Sequence, residues 1–424
     1  MKFTLFYLLA ITFYTLVAQN HIAPGIYSGT FKQGKFKTDV EFDIRSVDNS
    51  YHIKFNSLAQ NAFGIPAGDV NLINNTLEFA LQSDYYRYDF SSLPSSNNEL
   101  KTTMTVDGNS YNFKLLKKNE NLQGRFRSKN IRFRSSDLLL YGTIYYPDKS
   151  NGKAIYLVTS SGNQDRSASR AEAMLFAEAG FISFHIDKRG TGISDGNWQL
   201  ASIPELCEDD LHALEFLHQS EKIAYANIGI KGSSQGGTKV PYLLTKEPRL
   251  AFGIAVSCPA STLLESDLNY WENRNKEVIK PEDMPQASAL QKTVFQYISE
   301  DVSKEEMNRK VKENESAAWL SHVWIPQDDQ VVFDKKLNFS PMPYFKAVVA
   351  PLLVIQGSED EIIPLQSLDL IKADLKESGN EKNKYILLKG ANHSMMQPDN
   401  PDFKYWQSLH PSYMSSMLKW AQKL

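Results

Sequence analysis

The sequence predicts an α/β protein, a doubly wound and mostly parallel sheet with a helical cap insertion, preceded by a small all-β barrel-like domain. Three observations carry this. Apolar and polar residues alternate from Gly25 to about Leu116, near-continuous apolar runs take over after about Asn130, and one of those runs ends in a serine turn flanked by glycines. At 424 residues the chain is longer than one typical domain, so two domains are expected.

The first eighteen residues read Met1-Lys2, an apolar run from Phe3 to Val17, and Ala18 before Gln19. That run is too short for a membrane span and matches a secretory signal peptide cut after Ala18. No cysteine follows it to take a lipid, so an exported protein, periplasmic or secreted, with no remaining membrane segment is expected. The two cysteines, Cys207 and Cys258, give no disulfide framework. They read as buried unpaired thiols, a single bridge being the alternative.

The all-β domain is expected over residues 19–127, with its linker at Lys117 to Arg127. Val40, Phe42 and Ile44 alternate with Asp39, Glu41, Asp43 and Arg45, and Leu77, Phe79 and Leu81 repeat the pattern. Leu100, Thr102, Met104 and Val106 are expected to meet Tyr111, Phe113 and Leu115 across Asp107-Gly108-Asn109, a hairpin-turn composition. Short strands at even spacing argue for a barrel or sandwich. Tyr85, Tyr86, Tyr88 and Phe90 fit its packed interior better than a ligand cavity.

Residues 128–424 follow a different grammar. Leu138 to Tyr146, Ala154 to Thr159, Phe181 to Ile186, Ile228 to Lys231, Phe252 to Ser257, Leu352 to Gln356 and Tyr385 to Leu388 are strand-like. Most are apolar without alternation, as strands buried on both faces are. Arg170 to Ala179, Glu205 to His218 and Ser367 to Leu375 are amphipathic stretches between them. From about residue 262 to 336 no such run occurs, and helical patterns rich in charge and aromatics replace it. An insertion of that length reads as a cap.

The run Ile228-Gly229-Ile230-Lys231 leads into Gly232-Ser233-Ser234-Gln235-Gly236-Gly237, a G-x-S-x-G pentapeptide between a strand and a helix. A turn that tight needs residues without bulk at Gly232 and Gly236, and it holds the middle hydroxyl outward. Ser234 is the candidate nucleophile. A serine hydroxyl also needs a base, and the base needs an acid that fixes its tautomer. Gly357-Ser358-Glu359-Asp360-Glu361 follows one late strand, and Gly390-Ala391-Asn392-His393-Ser394 follows the next. The order Ser234, Asp360, His393 is that of α/β-hydrolases, with Glu359 and Glu361 as competitors for the acid.

An oxyanion hole requires two N–H donors aimed at the tetrahedral intermediate. Gln235, following the nucleophile, supplies one. Ser161, in the loop Thr159-Ser160-Ser161-Gly162-Asn163-Gln164-Asp165-Arg166, is expected to supply the other, Ser160 and Gly162 being the alternatives. Asp165 and Arg166, and the turn Asp187 to Gly192, read as structural supports.

Ser161 to Arg166, Asp187-Lys188-Arg189-Gly190-Thr191-Gly192, the elbow, Gly357 to Asp360 and Asn392-His393 together resemble two-domain bacterial carboxylesterases of the α/β-hydrolase superfamily. The resemblance covers nearly the whole mature chain and includes Gly64-Ile65-Pro66. It implies a lipocalin-like N-terminal domain and hydrolysis of short to medium acyl esters. Three positions depart from the pattern: Ser160 and Ser340 replace a common glycine and aspartate, and Ser233 a common histidine.

A serine at the elbow argues against dehalogenases and epoxide hydrolases, which need a carboxylate nucleophile. The eight histidines show no metal-ligand spacing, so neither metal nor cofactor is expected. A net charge of −3 gives no field for nucleic acid. The expected partner is a small-molecule ester; the sequence leaves the oligomeric state open. The alternatives are a serine peptidase acting on short peptides, which would hold the substrate amine with acidic cap residues such as Glu265, Asp267, Glu272, Glu282 or Asp283, and a non-catalytic glycan- or lipid-binding protein.

Overall fold

The structure, a computed structural model, describes residues 22–83, 86–118, 127–327, 331–377, 379–397 and 402–424. The expected signal peptide, Tyr85 and most of the expected linker lie outside the described residues. The chain divides into two compact units. The described parts of Met1–Thr30, Glu41–Lys54 and Pro66–Asn119 form one; Phe31–Val40, Phe55–Ile65 and the described parts of Glu120–Leu424 form the other.

Among the described residues, nine strands precede the change of grammar: β1 (Gly25–Gln33), β2 (Phe36–Val47), β3 (Ser50–Ser57), β4 (Ala62–Pro66), β5 (Gly68–Ile73), β6 (Thr76–Gln82), β7 (Arg87–Ser96), β8 (Glu99–Val106) and β9 (Asn109–Lys118). They form one antiparallel sheet in the order β4-β3-β2-β1-β9-β8-β7-β6-β5, curled into a nearly closed barrel. Leu100 pairs with Leu115, Thr102 with Phe113 and Met104 with Tyr111. Asp107 and Gly108 turn between β8 and β9 with φ of 51° and 74°, the left-handed pair that a two-residue hairpin loop needs. The aromatics are packed: Phe90 stacks on Phe79 at 4.9 Å between centroids and meets Phe42 edge-on.

The following strands are β10 (Arg127–Ser135), β11 (Leu138–Tyr146), β12 (Ala154–Leu157), β13 (Ile182–Ile186), β14 (Ile228–Ser233), β15 (Phe252–Val256), β16 (Leu352–Glu359) and β17 (Lys384–Asn392). Their order is β10-β11-β13-β12-β14-β15-β16-β17, antiparallel at β10 and β11 and parallel from β13 onward. The helices are α1 (Arg170–Glu178), α2 (Ile203–Glu221), α3 (Gln235–Lys246), α4 (Leu263–Asn275), α5 (Met284–Ile298), α6 (Lys304–Glu313), α7 (Met342–Phe345), α8 (Ser367–Glu377) and α9 (Ser412–Ala421).

The apolar runs explain the layers. Ala154 and Tyr156 of β12 and Leu352 and Val354 of β16 join a core with α2, α3 and α8. Their neighbours Ile155, Leu157, Leu353 and Ile355 join the opposite core with α1 and α9. Both faces are therefore covered, which is why alternation is missing from these runs. Helices α4, α5 and α6 fall in the stretch without strands. Trp271, Leu290, Val294, Tyr297 and Trp319 form a core of their own there. Strand β12 has β13 on one side and β14 on the other, so the chain reverses its winding there. The loops leaving β12 and β14 consequently lie side by side at the carboxyl ends of the strands, where open α/β sheets bind ligands. Cys207 and Cys258 are buried and unpaired.

Candidate active site

Ser234 sits between β14 and α3 with φ 54° and ψ −124°, a strained conformation for a residue with a side chain. The crowding around it explains the glycines. A Cβ on Gly232 would run into the carbonyl of Gly236, and one on Gly236 would lie 3.1 Å from the carbonyl oxygen of Thr159. The turn is tied down by Ser234 N–H donating to Val256 O at 2.9 Å and Thr238 N–H donating to Ser234 O at 3.1 Å. Gln235 opens α3, so its N–H has no acceptor within the helix.

Asp360 follows β16 and is buried. Its Oδ1 accepts from the N–H groups of Ile362 and Ile363 at 3.0 and 2.9 Å and lies 2.9 Å from His393 Nδ1. With the carboxylate as acceptor, Nδ1 carries the proton and Nε2 is left as the free base. Glu359 and Glu361 are exposed, and Glu361 accepts from the His393 backbone N–H at 3.3 Å. Ser257 Oγ donates to the His393 carbonyl at 2.7 Å and so fixes the histidine loop from the end of β15.

Ser234, Gln235, Ser160, Ser161, Gly162 and His393 line one cleft of about 550 Å³. Asp360 stands behind the imidazole, where it contacts His393. The serine at position 160 is accommodated because its side chain turns toward the elbow, where Oγ donates to Ser233 O at 2.8 Å. Ser233 in turn takes a hydrogen bond from Lys231 Nζ at 2.7 Å, and Lys231 pairs with Glu172 at 2.5 Å. Tyr413 donates to the other oxygen of Glu172 at 2.7 Å, and burial pushes its phenol well above the usual tyrosine range. Lys231 is the one charge in an otherwise apolar strand, and that irregularity is the sequence signal that could have found this cluster.

Behind the same loops, Lys239 and Asp210 form a fully buried pair at 2.7 Å. Lys239 also donates to Thr159 Oγ1 at 2.6 Å and Tyr156 donates to Asp210 at 2.6 Å, so α2, α3 and the end of β12 are locked together. Burial raises the Asp210 carboxyl against the pull of Lys239. Arg166 pairs with Asp187, which also accepts the Arg166 N–H at 2.9 Å. Asp165 caps the short helix after it through Ser167 N–H at 2.7 Å.

The aromatic rings of the cap stay out of the cleft. Among the described residues lining the cleft, the insertion contributes Leu263, Ser266, Asp267, Asp334, Lys336 and Leu337, and none of Tyr270, Trp271, Phe295, Tyr297, Trp319 and Trp324. Trp271, Tyr297 and Trp319 are held in the cap core, Trp324 is exposed, and Phe295 lines an adjoining cavity of about 250 Å³ with Trp198 and Asp267. The insertion's share of the wall is thus partly aliphatic and partly charged. Asp267 is pushed up to about 6, first by burial and then by the neighbouring Asp334, and among the described residues no cation or hydrogen-bond donor is bonded to it.

Sheet order, elbow and cleft define a hydrolase with the α/β-hydrolase fold. The X-Pro dipeptidyl-peptidase (S15 family) model matches residues 137–395, and the chain belongs to that family. No curated protein sequence matches it. Among solved structures, an esterase of Pyrococcus furiosus is 15% identical over 70% of this chain and 91% of its own, with a TM-score of 0.47. A proline iminopeptidase of Mycobacterium smegmatis is 14% identical over 70% and 98%, with a TM-score of 0.44. An acylaminoacyl peptidase of Pyrococcus horikoshii is 17% identical over 86% and 66%, with a TM-score of 0.43. The class rests on this chain's own sheet and on the family match, and the protein is a serine hydrolase. Among the described residues no helix is long and apolar enough to cross a membrane.

Proposed function

We propose that this protein is an exported serine esterase that cleaves carboxylic esters of short to medium acyl chains through an acyl-enzyme on Ser234. The observation that carries the reading is the 2.9 Å contact of His393 Nδ1 with Asp360, on an imidazole that shares its cleft with Ser234. In this reaction His393 Nε2 takes the Ser234 proton as Oγ attacks the ester carbonyl, and Asp360 stabilises the imidazolium. The N–H groups of Gln235 and Ser161 receive the oxyanion. Collapse of the intermediate breaks the bond to the alkoxide, which leaves with the proton from His393. Water activated by the same imidazole then releases the acid. Much of the cleft wall near the serine is polar, with Ser160, Ser161, Ser233, Lys231 and Glu172, which favours small acyl groups over long ones.

A second reading, hydrolysis of short peptides or aminoacyl bonds, is favoured by one observation: the unpartnered Asp267 in the cleft offers a counter-charge to a substrate amine. The family description points the same way. A chromogenic ester series of increasing acyl length, run beside aminoacyl and X-Pro substrates on the purified protein, separates the two. The ester reading expects the highest kcat/KM on short esters and loses if peptides exceed them. A phosphonate should label wild type stoichiometrically, and Ser234→Ala should abolish labelling and lower turnover by about 10⁴-fold or more. Full labelling of Ser234→Ala would overturn the nucleophile.

A further inference from the structure

Lys188 is a charged residue at the end of a buried strand, and its side chain does not point to water. It is almost fully buried. Its Nζ donates to Ser160 O at 2.7 Å and to Gly162 O at 2.5 Å, and lies 4.4 Å from the centroid of the Trp198 ring, which lines the cleft. The carbonyl of Ser160 and the N–H of Ser161 belong to one peptide group. A cation bonded to the oxygen of an amide draws electron density from its nitrogen and makes the opposite N–H a stronger donor. It also fixes the plane of that peptide, and so the direction in which the N–H points. The second bond, to Gly162 O, fixes the Gly162–Asn163 peptide and so pins the loop one residue beyond Ser161.

We infer that Lys188 is a positioning residue of the oxyanion loop, which orients and polarises the Ser160–Ser161 peptide so that its N–H is aimed at the developing oxyanion before substrate arrives. The inference rests on the esterase reading of the cleft. Lys188 touches neither the substrate nor the reacting atoms; it acts through the peptide it grips. Preorganisation of this kind lowers the barrier because the dipole needs no reorientation in the transition state.

The charge on Lys188 is set by its neighbours. Burial, with Lys239 of α3 and Lys336 at the end of the cap insertion, brings it down to about 7, against the opposing pull of Asp210 of α2. Below pH 7 the group is an ammonium and grips both carbonyls at full strength. Above pH 7 it becomes a neutral amine, whose hydrogen bonds are weaker.

The test is steady-state hydrolysis of a chromogenic acetate ester by the full chain from pH 5.5 to 9, with phosphonate labelling in parallel. For Lys188→Met, kcat should fall about 10- to 100-fold with KM within twofold, short of or at the lower edge of the 10²- to 10³-fold loss for deleting an oxyanion donor outright. Wild type should show a falling limb in kcat centred near pH 7. Lys188→Arg, which stays charged throughout, should recover part of the rate and lose that limb. A Lys188→Met enzyme with unchanged kcat, or one whose loss lies wholly in KM, overturns the inference. If Lys188→Met does not fold, Lys188→Arg decides alone, since a falling limb that survives the substitution overturns it too. Failure of wild type to take the phosphonate at Ser234 would instead remove the esterase reading itself.

Discussion

The two sides of the cleft are held in different ways. On one side, Asp360 and His393 stand on loops at the ends of the adjacent strands β16 and β17, and their anchors are mostly local in the fold, within their own turns and across the paired strands. Two backbone N–H groups from the same turn hold Asp360 Oδ1, and Gly390 N–H donates to Ser358 Oγ at 2.8 Å across the paired strands. On the other side, the Ser160–Gly162 loop is held by charged side chains that reach in from outside it, Lys188 on its carbonyls and Arg166 with Asp187 behind it. Local anchoring leaves its trace in the order of residues along the chain. Anchoring by a side chain from another loop becomes visible only when the fold brings the partners together.

The largest effect should come from the locally anchored side. Asp360→Asn should lower kcat by roughly 10³- to 10⁴-fold while the fold survives, because an amide there favours the wrong imidazole tautomer and gives no charge to oppose the imidazolium. Glu361→Gln, which disturbs only a long bond to the His393 backbone, should stay within about threefold, and exposed Glu359→Gln should be silent. Kinetics and circular dichroism on the three variants check this. If Glu361→Gln is the damaging one, the acid lies one residue further on and the contrast between the two sides disappears.

Ser160→Ala sharpens the contrast from the other side. It removes the hydroxyl that ties the loop to the carbonyl of Ser233, immediately before the elbow. The loop keeps its Lys188 bonds, so kcat should fall only about tenfold with KM little changed, a fraction of the full value of an oxyanion donor. A loss of 10³-fold would mean that Ser160 itself faces the reacting carbonyl. No loss at all would mean that Lys188 suffices.

What was legible follows the same division. Parallel strands, the hairpin at Asp107-Gly108, the elbow and the Asp360 and His393 loops all have short-range signatures, in periodicity, turn chemistry or position after an apolar run. Lys188 and Lys231 had none that named their partners, since a lysine next to Asp187 or inside an apolar strand does not say which carbonyl or carboxylate it will meet. The cap aromatics were legible only in part, for a related reason. The number of rings in the cap says that some are buried, but whether Trp271, Tyr297 and Trp319 turn to a neighbouring helix or to the cleft depends on how the helices pack.

Asp267 is a third case, a side chain lining the cleft that nothing fixes, and it should show the smallest effect. Its folded-state pKa of about 6 lies above the ordinary value near 3.9, so between those two values the folded protein binds the proton more tightly than the unfolded chain. Stability therefore falls as pH rises from about 4 to about 6 and is flat above that. Asp267→Asn removes the charge. The variant should match wild type at pH 4 and exceed it at pH 7.5 by on the order of 1 kcal/mol, roughly 2 °C in Tm for a domain of this size. Thermal melts at the two pH values read this directly. The same variant also bears on substrate choice: on the peptidase reading it should raise KM for substrates with a free amine and leave acetate esters alone. An unchanged KM for both would leave Asp267 as an uncompensated charge in the cleft wall, and the peptidase reading without the observation that favours it.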